Sequence, residues 1–368
     1  MTNTAPLPPP IPSAAGKNGN KPFQRFLRGL LHNILVPILA ISVALMVSAL
    51  ILMGSGYNPI TSFAAMWQGA FGDLRTFTEV LIKATPLILI ASGLAVAFRC
   101  SIWNIGAEGQ FYMGAVFSTA VGIYLGFLPR IVLVPLILLA GMVGGALWGL
   151  LAGWLKVRFN TSEIVTTIML NYVAIIGTSW LVTGPMIEEV GKYPQTAKIS
   201  PAAVLPRILL PTRLHLGILI ALIVAIVLYV LLFKTTTGYG IRAVGLNANA
   251  ARYAGINVSR NILLVMAISG GAAGLAGGVE LSAIALRLYQ QISPGFGYDG
   301  IAVSLLASNN PLGIILSGIL FGALRSGSEM MQITAKIPSV LVFAIQGLII
   351  LAVVAFSTLQ ARYQSRKK

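Results

Sequence analysis

The chain has 368 residues, 57 % of them hydrophobic and 9 % charged, with a mean hydropathy of +0.87. So few charges cannot cover that much apolar surface in water, so the composition excludes a soluble globular protein and makes lipid the solvent. The net charge of +16 does not indicate nucleic acid, because the basic residues lie apart, at Lys17–Arg28, at Lys156 and Arg158, through 234–260, and at Arg362–Lys368; this is the cytoplasmic Lys/Arg excess of membrane proteins, with lipid headgroups as the partner.

Residues 1–30, rich in Pro, Asn and Gly, are expected to form a disordered cytoplasmic arm. The apolar run 33–54 is longer than the ~7–15 residues of a cleaved signal and reads as a retained first span. With the N-terminus in the cytoplasm, 55–77 follows the outer surface and 78–98 returns to Arg99. Residues 105–126 exit, and 131–155 return to Lys156 and Arg158. Then 164–184 exit, 185–213 with Glu188 and Glu189 form the largest outer loop, 214–233 return, and 262–284 exit. Each run approaches the ~20 apolar residues that a spanning helix needs.

The run 300–324 is interrupted by Ser308-Asn309-Asn310-Pro311, which disfavours a continuous helix. A re-entrant hairpin opening to the outer face would keep the basic tail, 358–368, in the cytoplasm; a single kinked span is the alternative. Such broken backbone is tolerated only against protein or a wet cavity. The expected fold is an all-α polytopic transmembrane bundle over 31–357, in the inner membrane with both termini cytoplasmic. It has about eight full spans plus the broken hairpin, about ten helical segments in all.

Small residues recur at Gly141, Gly145, Gly149 and Gly153, and again at Gly270, Gly274 and Gly278. These stripes allow close backbone packing within lipid. Polar residues inside spans are candidate sites. Asn104, Glu108 and Gln110 lie among glycines that suggest an unwound helix start; Glu108 either lines a path, pairs with Arg99 or caps a helix. Asn160–Glu163 read as a helix start, while Asn171 lies two turns deeper and either bonds a neighbouring helix or faces a solute. Glu280 and Arg287, seven apart, share a face if the helix continues, and with Asp299 form either a polar mouth or an internal salt bridge. Asn309 and Asn310 belong to the broken hairpin wall.

Between two spans, 235–261 (TTTGYGIRAVGLNANAARYAGINVSRN) is too polar for lipid. Gly238 and Gly240 are expected to break the helix leaving 214–233. Asn247 then caps a short helix, 248–254, with Gly255 at its C′ position. Ala250, Ala251 and Ala254 give it a smooth face, and Arg252 and Tyr253 offer contacts to another protein. No phosphate-binding GxxxxGK[ST] occurs, two histidines at span ends make no metal site, and the single cysteine, Cys100, forms no intrachain disulfide. No catalytic residues, metal or cofactor are expected, and the chain does not read as an enzyme by itself.

Four motifs in order, SIWNIGAEGQ, TSEIVTTIMLNY, GxxxRAVGxNxxAARYAGI and GYDGIAVSLLASNNPLG, together resemble the permease subunit of bacterial ABC importers. The similarity is to the branch serving nucleosides and simple sugars, related to ribose and branched-chain amino-acid permeases. The resemblance implies two permease subunits (a copy or a paralogue), two cytoplasmic ABC ATPase subunits, an extracytoplasmic solute-binding protein and a small-molecule solute. It assigns Asn247, Ala250, Ala251, Arg252, Tyr253 and Gly255 to ATPase coupling. It assigns Asn104, Glu108, Gln110, Asn171, Glu280, Arg287, Asp299, Asn309 and Asn310 to the translocation path, and Glu280 followed by Arg287 looks similar to an acidic-then-basic pair of the nucleoside branch, which favours nucleosides over plain sugars. The competing readings are an ion-coupled secondary transporter and a non-transporting scaffold.

Overall fold

The computed structural model describes residues 42–43, 45–189 and 193–365. The expected arm 1–30, the beginning of the first span and residues 366–368 of the tail lie outside the described residues. In chain order the helices are α1 (Leu45–Gly54), α2 (Pro59–Phe71), α3 (Leu74–Arg99), α4 (Ala107–Tyr124), α5 (Arg130–Phe159), α6 (Glu163–Thr183), α7 (Gly217–Lys234), α8 (Thr236–Leu246), α9 (Ala248–Tyr253), α10 (Val258–Glu280), α11 (Phe296–Leu306), α12 (Pro311–Thr334) and α13 (Ser339–Ser365). A π turn, Leu281–Ala285, prolongs α10. Among the described residues the fold is all-α; two isolated β-bridges, Gln195–Tyr289 and Arg207–His215, tie loops together.

Among the described residues six helices are long and apolar enough to cross a membrane: α3, α5, α6, α7, α10 with its extension, and α12. Helix α3 is the axis. Asp73 and Thr76 cap its start reciprocally, at 2.7 and 2.9 Å, and every residue from Ala84 to Ala97 is buried. A helix apolar all round must be wrapped by others, and α7, α10, α11 and α12 pack around it. The outer helices invert this pattern. Leu147 on α5, Ile176 and Trp180 on α6, and Ile223 on α7 are exposed, as suits a lipid-facing surface.

Helix α4 falls below the hydropathy of a spanning segment because its first turns hold Glu108 and Gln110. It tolerates them because α5, α6 and α10 cover it. The glycine stripes make that cover tight. Gly274 of α10 meets Gly114 of α4 and both Gly141 and Gly145 of α5, backbone on backbone, and a Cβ at Gly145 would stand 2.6 Å from Gly274 Cα. The stripes therefore serve packing within the chain, through direct backbone contact.

The structure corrects two expectations. Gly238 and Gly240 do not end α7; the break falls one turn earlier at Thr235, which caps α8 by accepting from Gly238 N–H at 3.1 Å. Gly238 stays inside α8 because its missing Cβ lets the helix approach the Leu232 carbonyl. The Ser308–Pro311 break is not a hairpin tip buried part-way along the bundle. It sits beside Arg99, at the end of the bundle that also holds α8 and α9. From there α12 runs 24 residues, a full crossing length, with Pro311 at its first turn, where proline is tolerated. Only α11 is short.

We expect Gly145→Val to destabilise the protein by about 3 kcal/mol, since α5 and α10 cannot separate without losing the packing around them. Thermal unfolding in detergent would show this, with Gly177→Val, where the space is open, leaving the midpoint unchanged.

Candidate functional site

At one end of the bundle, local sequence builds a docking feature. The Asn247 side chain accepts from Asn249 N–H and Ala250 N–H, each at 3.0 Å, and so starts α9. Gly255 closes it at φ +82°, a left-handed conformation that favours glycine. A six-residue helix is marginal alone, and burial of Ala251 against α8 and α10 residues such as Ile241 and Val265 holds it. Ala251 thus faces inward and is not part of the free surface. The exposed face is made by Ala250, Arg252, Tyr253 and Ala254, together with Leu246 at the end of α8. Leu246 was not singled out from sequence, although an exposed leucine beside a helix cap was there to be read.

The same end is tied to the bundle core. Ser101 Oγ donates to Gly245 O at 2.8 Å. Arg99 donates to Ser308 O at 2.9 Å and Asn309 O at 3.1 Å, two carbonyls of the turn that follows α11. The Phe233 ring lies 5.5 Å from the Arg99 guanidinium and 5.4 Å from that of Arg242 on α8. Arg99 therefore bonds the α11–α12 turn rather than Glu108. Asn309 also accepts from Ser304, at 3.1 Å, and Asn310 caps α12 through Leu312 N–H, at 3.1 Å.

Deeper in the bundle two helices begin part-way along it, and their starts meet. Residues 100–106 are unwound, as expected, and α4 begins at Ala107. Glu108, buried, accepts from Gly297 N–H at 2.6 Å in the first turn of α11. A Cβ on Gly297 would lie 2.5 Å from Glu108 Cα, so a larger residue there would force the helix starts apart. Asn104 bonds Gln110 (2.9 and 3.1 Å), Ser269 (2.9 Å) and Gly106 N–H (3.0 Å). Asn171 accepts from Gly109 N–H at 2.8 Å and donates to Ile105 O at 2.9 Å. These groups satisfy one another across α4, α6 and α10 and hold the unwound segment. Neighbouring Ser162 occupies the N-cap of α6 without a capping bond; Glu163 instead pairs with Lys156 at 2.9 Å.

Toward the opposite end, the expected Glu280–Arg287 face does not form. The helix stops at Leu286, whose φ of +58° turns the chain away, and Arg287 pairs with Glu188 of the 185–213 loop. Glu280 makes no hydrogen bond or ion pair among the described residues. Asp299 accepts from Arg325 Nε of α12 at 2.8 Å. Glu79 binds Arg213 through two bonds of 2.9 and 2.7 Å. His215 nearby is buried, its Nδ1 accepting from Gly217 N–H at 3.1 Å while Nε2 has no partner among the described residues. No cluster of metal-ligating side chains occurs among the described residues.

Two outcomes follow. Asn247→Ala should cost α9 about 1 kcal/mol, seen as faster hydrogen exchange at Asn249 and Ala250. Burial depresses the pKa of His215 from 6.5 to about 4, so between those values the unfolded chain binds a proton that the folded protein refuses. Stability should fall as pH drops through that window, by at most about 1.4 kcal/mol per unit. His215→Gln should flatten the profile in thermal unfolding series.

A family model described as branched-chain amino acid transport system / permease component matches residues 76–354. The chain is 37 % identical over 327 residues to the guanosine ABC transporter permease protein NupP of Bacillus subtilis, covering 88 % of this chain and 93 % of the relative. It is 33 % identical to the glucose ABC transporter permease protein TsgB13 of Haloferax volcanii, covering 86 % and 85 %. It is 34 % identical to the nucleoside ABC transporter permease protein NupB of Lactococcus lactis subsp. cremoris, covering 82 % and 85 %. No solved structure matches.

Proposed function

The chain belongs to the family of branched-chain amino acid transport system permease components, and we propose that it is the membrane permease of an ABC importer that moves nucleosides. Two of the relatives named above carry guanosine or nucleoside transport in their names; a simple sugar, as for the Haloferax relative, is the second solute class. ATP hydrolysis is assigned to separate cytoplasmic ATPase subunits, solute delivery to an extracytoplasmic binding protein, and the other half of the pore to a second permease, a copy or a paralogue.

The observation that carries the coupling assignment is the α8–α9 end: a capped short helix whose free side offers Leu246, Arg252 and Tyr253. Tyrosine and arginine on an exposed face are residue types enriched among those that carry binding energy at protein interfaces, and Leu246 adds apolar area beside them. We place this end in the cytoplasm, where Lys156, Arg158, Lys234, Arg252 and Arg260 on its helix ends and loops meet anionic headgroups; at the other end Arg213 and Arg287 are each paired with a carboxylate, Glu79 and Glu188. Movement of α8 and α9 reaches the α11–α12 turn through Arg99. An ion-coupled transporter gives no account of this arrangement.

For the path, Glu280 and Asp299 are the assigned solute-facing residues, with Asn309 and Asn310 at its cytoplasmic end. Asn104, Glu108, Gln110 and Asn171 are assigned to the brace that shapes its wall, and Arg287 to the Glu188 pair in the outer loop.

Because Leu246 and Tyr253 are exposed, Leu246→Asp with Tyr253→Asp should leave the amount of permease in the membrane unchanged. Co-purification of the ATPase and ATP-dependent uptake should each fall on the order of tenfold or more. Full uptake by this variant would remove the coupling assignment. Uptake that persists when the ATPase's phosphate-loop lysine is replaced would remove the ABC reading.

A further inference from the structure

A cavity of about 420 Å³ lies between α11, α12 and α13, within the size range of small-molecule sites. Its lining contains polar groups that the fold does not use. Ser328 of α12 and Gln346 of α13 are 7 % and 8 % exposed, and neither side chain makes a hydrogen bond with a described residue. Gln332 adds a second amide in the same condition. Their polar atoms are open to this cavity rather than sealed from it, so an amide and a hydroxyl on two buried residues face a space in which a bound molecule can pair with them.

The charges there are already spoken for. Asp299 binds Arg325, whose guanidinium also donates to Pro294 O at 3.1 Å and lies 4.6 Å from the Phe296 ring. Glu329 pairs with Lys83 of α3. Each carboxylate is matched by a cation, so the cavity carries no surplus charge to hold an ionic solute. It does offer carboxylate lone pairs not taken by the cations, which can accept from hydroxyl groups. Phe343 brings an exposed aromatic ring to the lining, a surface on which a flat heterocycle stacks. A glutamine amide presents a donor and an acceptor side by side, the pairing that matches a nucleobase edge.

We propose that this cavity is the solute-recognition site of the permease, taking an uncharged nucleoside. Its base stacks on Phe343 and meets the amides of Gln346 and Gln332, and its ribose hydroxyls donate to Asp299 and Glu329. The assignment rests on the nucleoside-importer reading above and adds the location and the groups that read the solute. A nucleotide is excluded because its phosphate would displace Asp299 or Glu329 from a cation already paired. A plain sugar uses the carboxylates but not the ring and amides.

The test uses the complete importer, with ATPase and binding protein, in proteoliposomes, measuring initial guanosine uptake and ATP hydrolysis. Gln346→Leu keeps the volume and removes the amide; it should raise the KM for guanosine on the order of tenfold, the loss expected when a hydrogen-bonding site is made apolar. ATP hydrolysis without solute, measured alongside, reports whether the variant importer has assembled. Phe343→Ala, at an exposed position with no packing to lose, should raise the KM similarly and keeps the test open if Gln346→Leu fails to assemble. Wild-type guanosine uptake with an unchanged KM in Phe343→Ala and in any assembled Gln346→Leu overturns the site alone. A wild-type importer that moves glucose but no nucleoside overturns both the site and the reading beneath it.

Discussion

A peptide group surrounded by hydrocarbon must be hydrogen-bonded by protein, and that constraint shapes this molecule at one place above all. Helices α4 and α11 both start part-way along the bundle, so each exposes unpaired N–H groups where no water is assured. Glu108, in the first turn of α4, answers for α11 by accepting from its first turn, and Asn104 and Asn171 answer for α4 by accepting from Gly106 N–H and Gly109 N–H. A carboxylate between two helix N-termini is in the position the helix dipoles favour. Asn104, Gln110, Asn171 and Ser269 pair the remaining groups of the unwound segment.

That solution requires the surrounding helices to exclude lipid, and the glycine contacts allow it. With Gly114, Gly141, Gly145 and Gly274 in backbone contact, α4, α5 and α10 form a block that keeps a polar helix away from the membrane without large side chains. Helix α3, buried along most of its length, joins this block to α11 and α12. The two ends of α3 then serve opposite purposes. Glu79 binds the 185–213 loop through Arg213, while Arg99 binds the α11–α12 turn.

These connections give the coupling proposal a physical route. Force applied to the exposed side of α9 passes to α8, with which it shares the Ala251 contact, and from there through Gly245 and Phe233 to Arg99. Arg99 holds carbonyls in the turn just after α11, the helix whose start is held by Glu108 and whose Asp299 borders the α12–α13 cavity. A short helix between two such anchors is suited to move as a unit, because few hydrogen bonds fix it along its length.

Composition and charge spacing alone determined an all-α polytopic membrane chain, and the Asn247 cap and Gly255 stop determined α9. Those features are encoded within a few consecutive residues, where backbone geometry and hydropathy decide the outcome. The unwinding at 100–106 and the glycine stripes were legible for the same reason. Partners were not. Arg287 chose Glu188, 99 residues away, over Glu280, seven away, because a left-handed Leu286 ended the helix between them. Ala251 turned inward because α8 continued past its glycines, and the Ser308–Pro311 break moved to the bundle end because Arg99 had carbonyls to bind there. Gln346 and Arg325 carried no local signal; only the meeting of α11, α12 and α13 gave them a common cavity. Spacing along a chain fixes which face a side chain occupies, but the packing of distant helices fixes what stands opposite it.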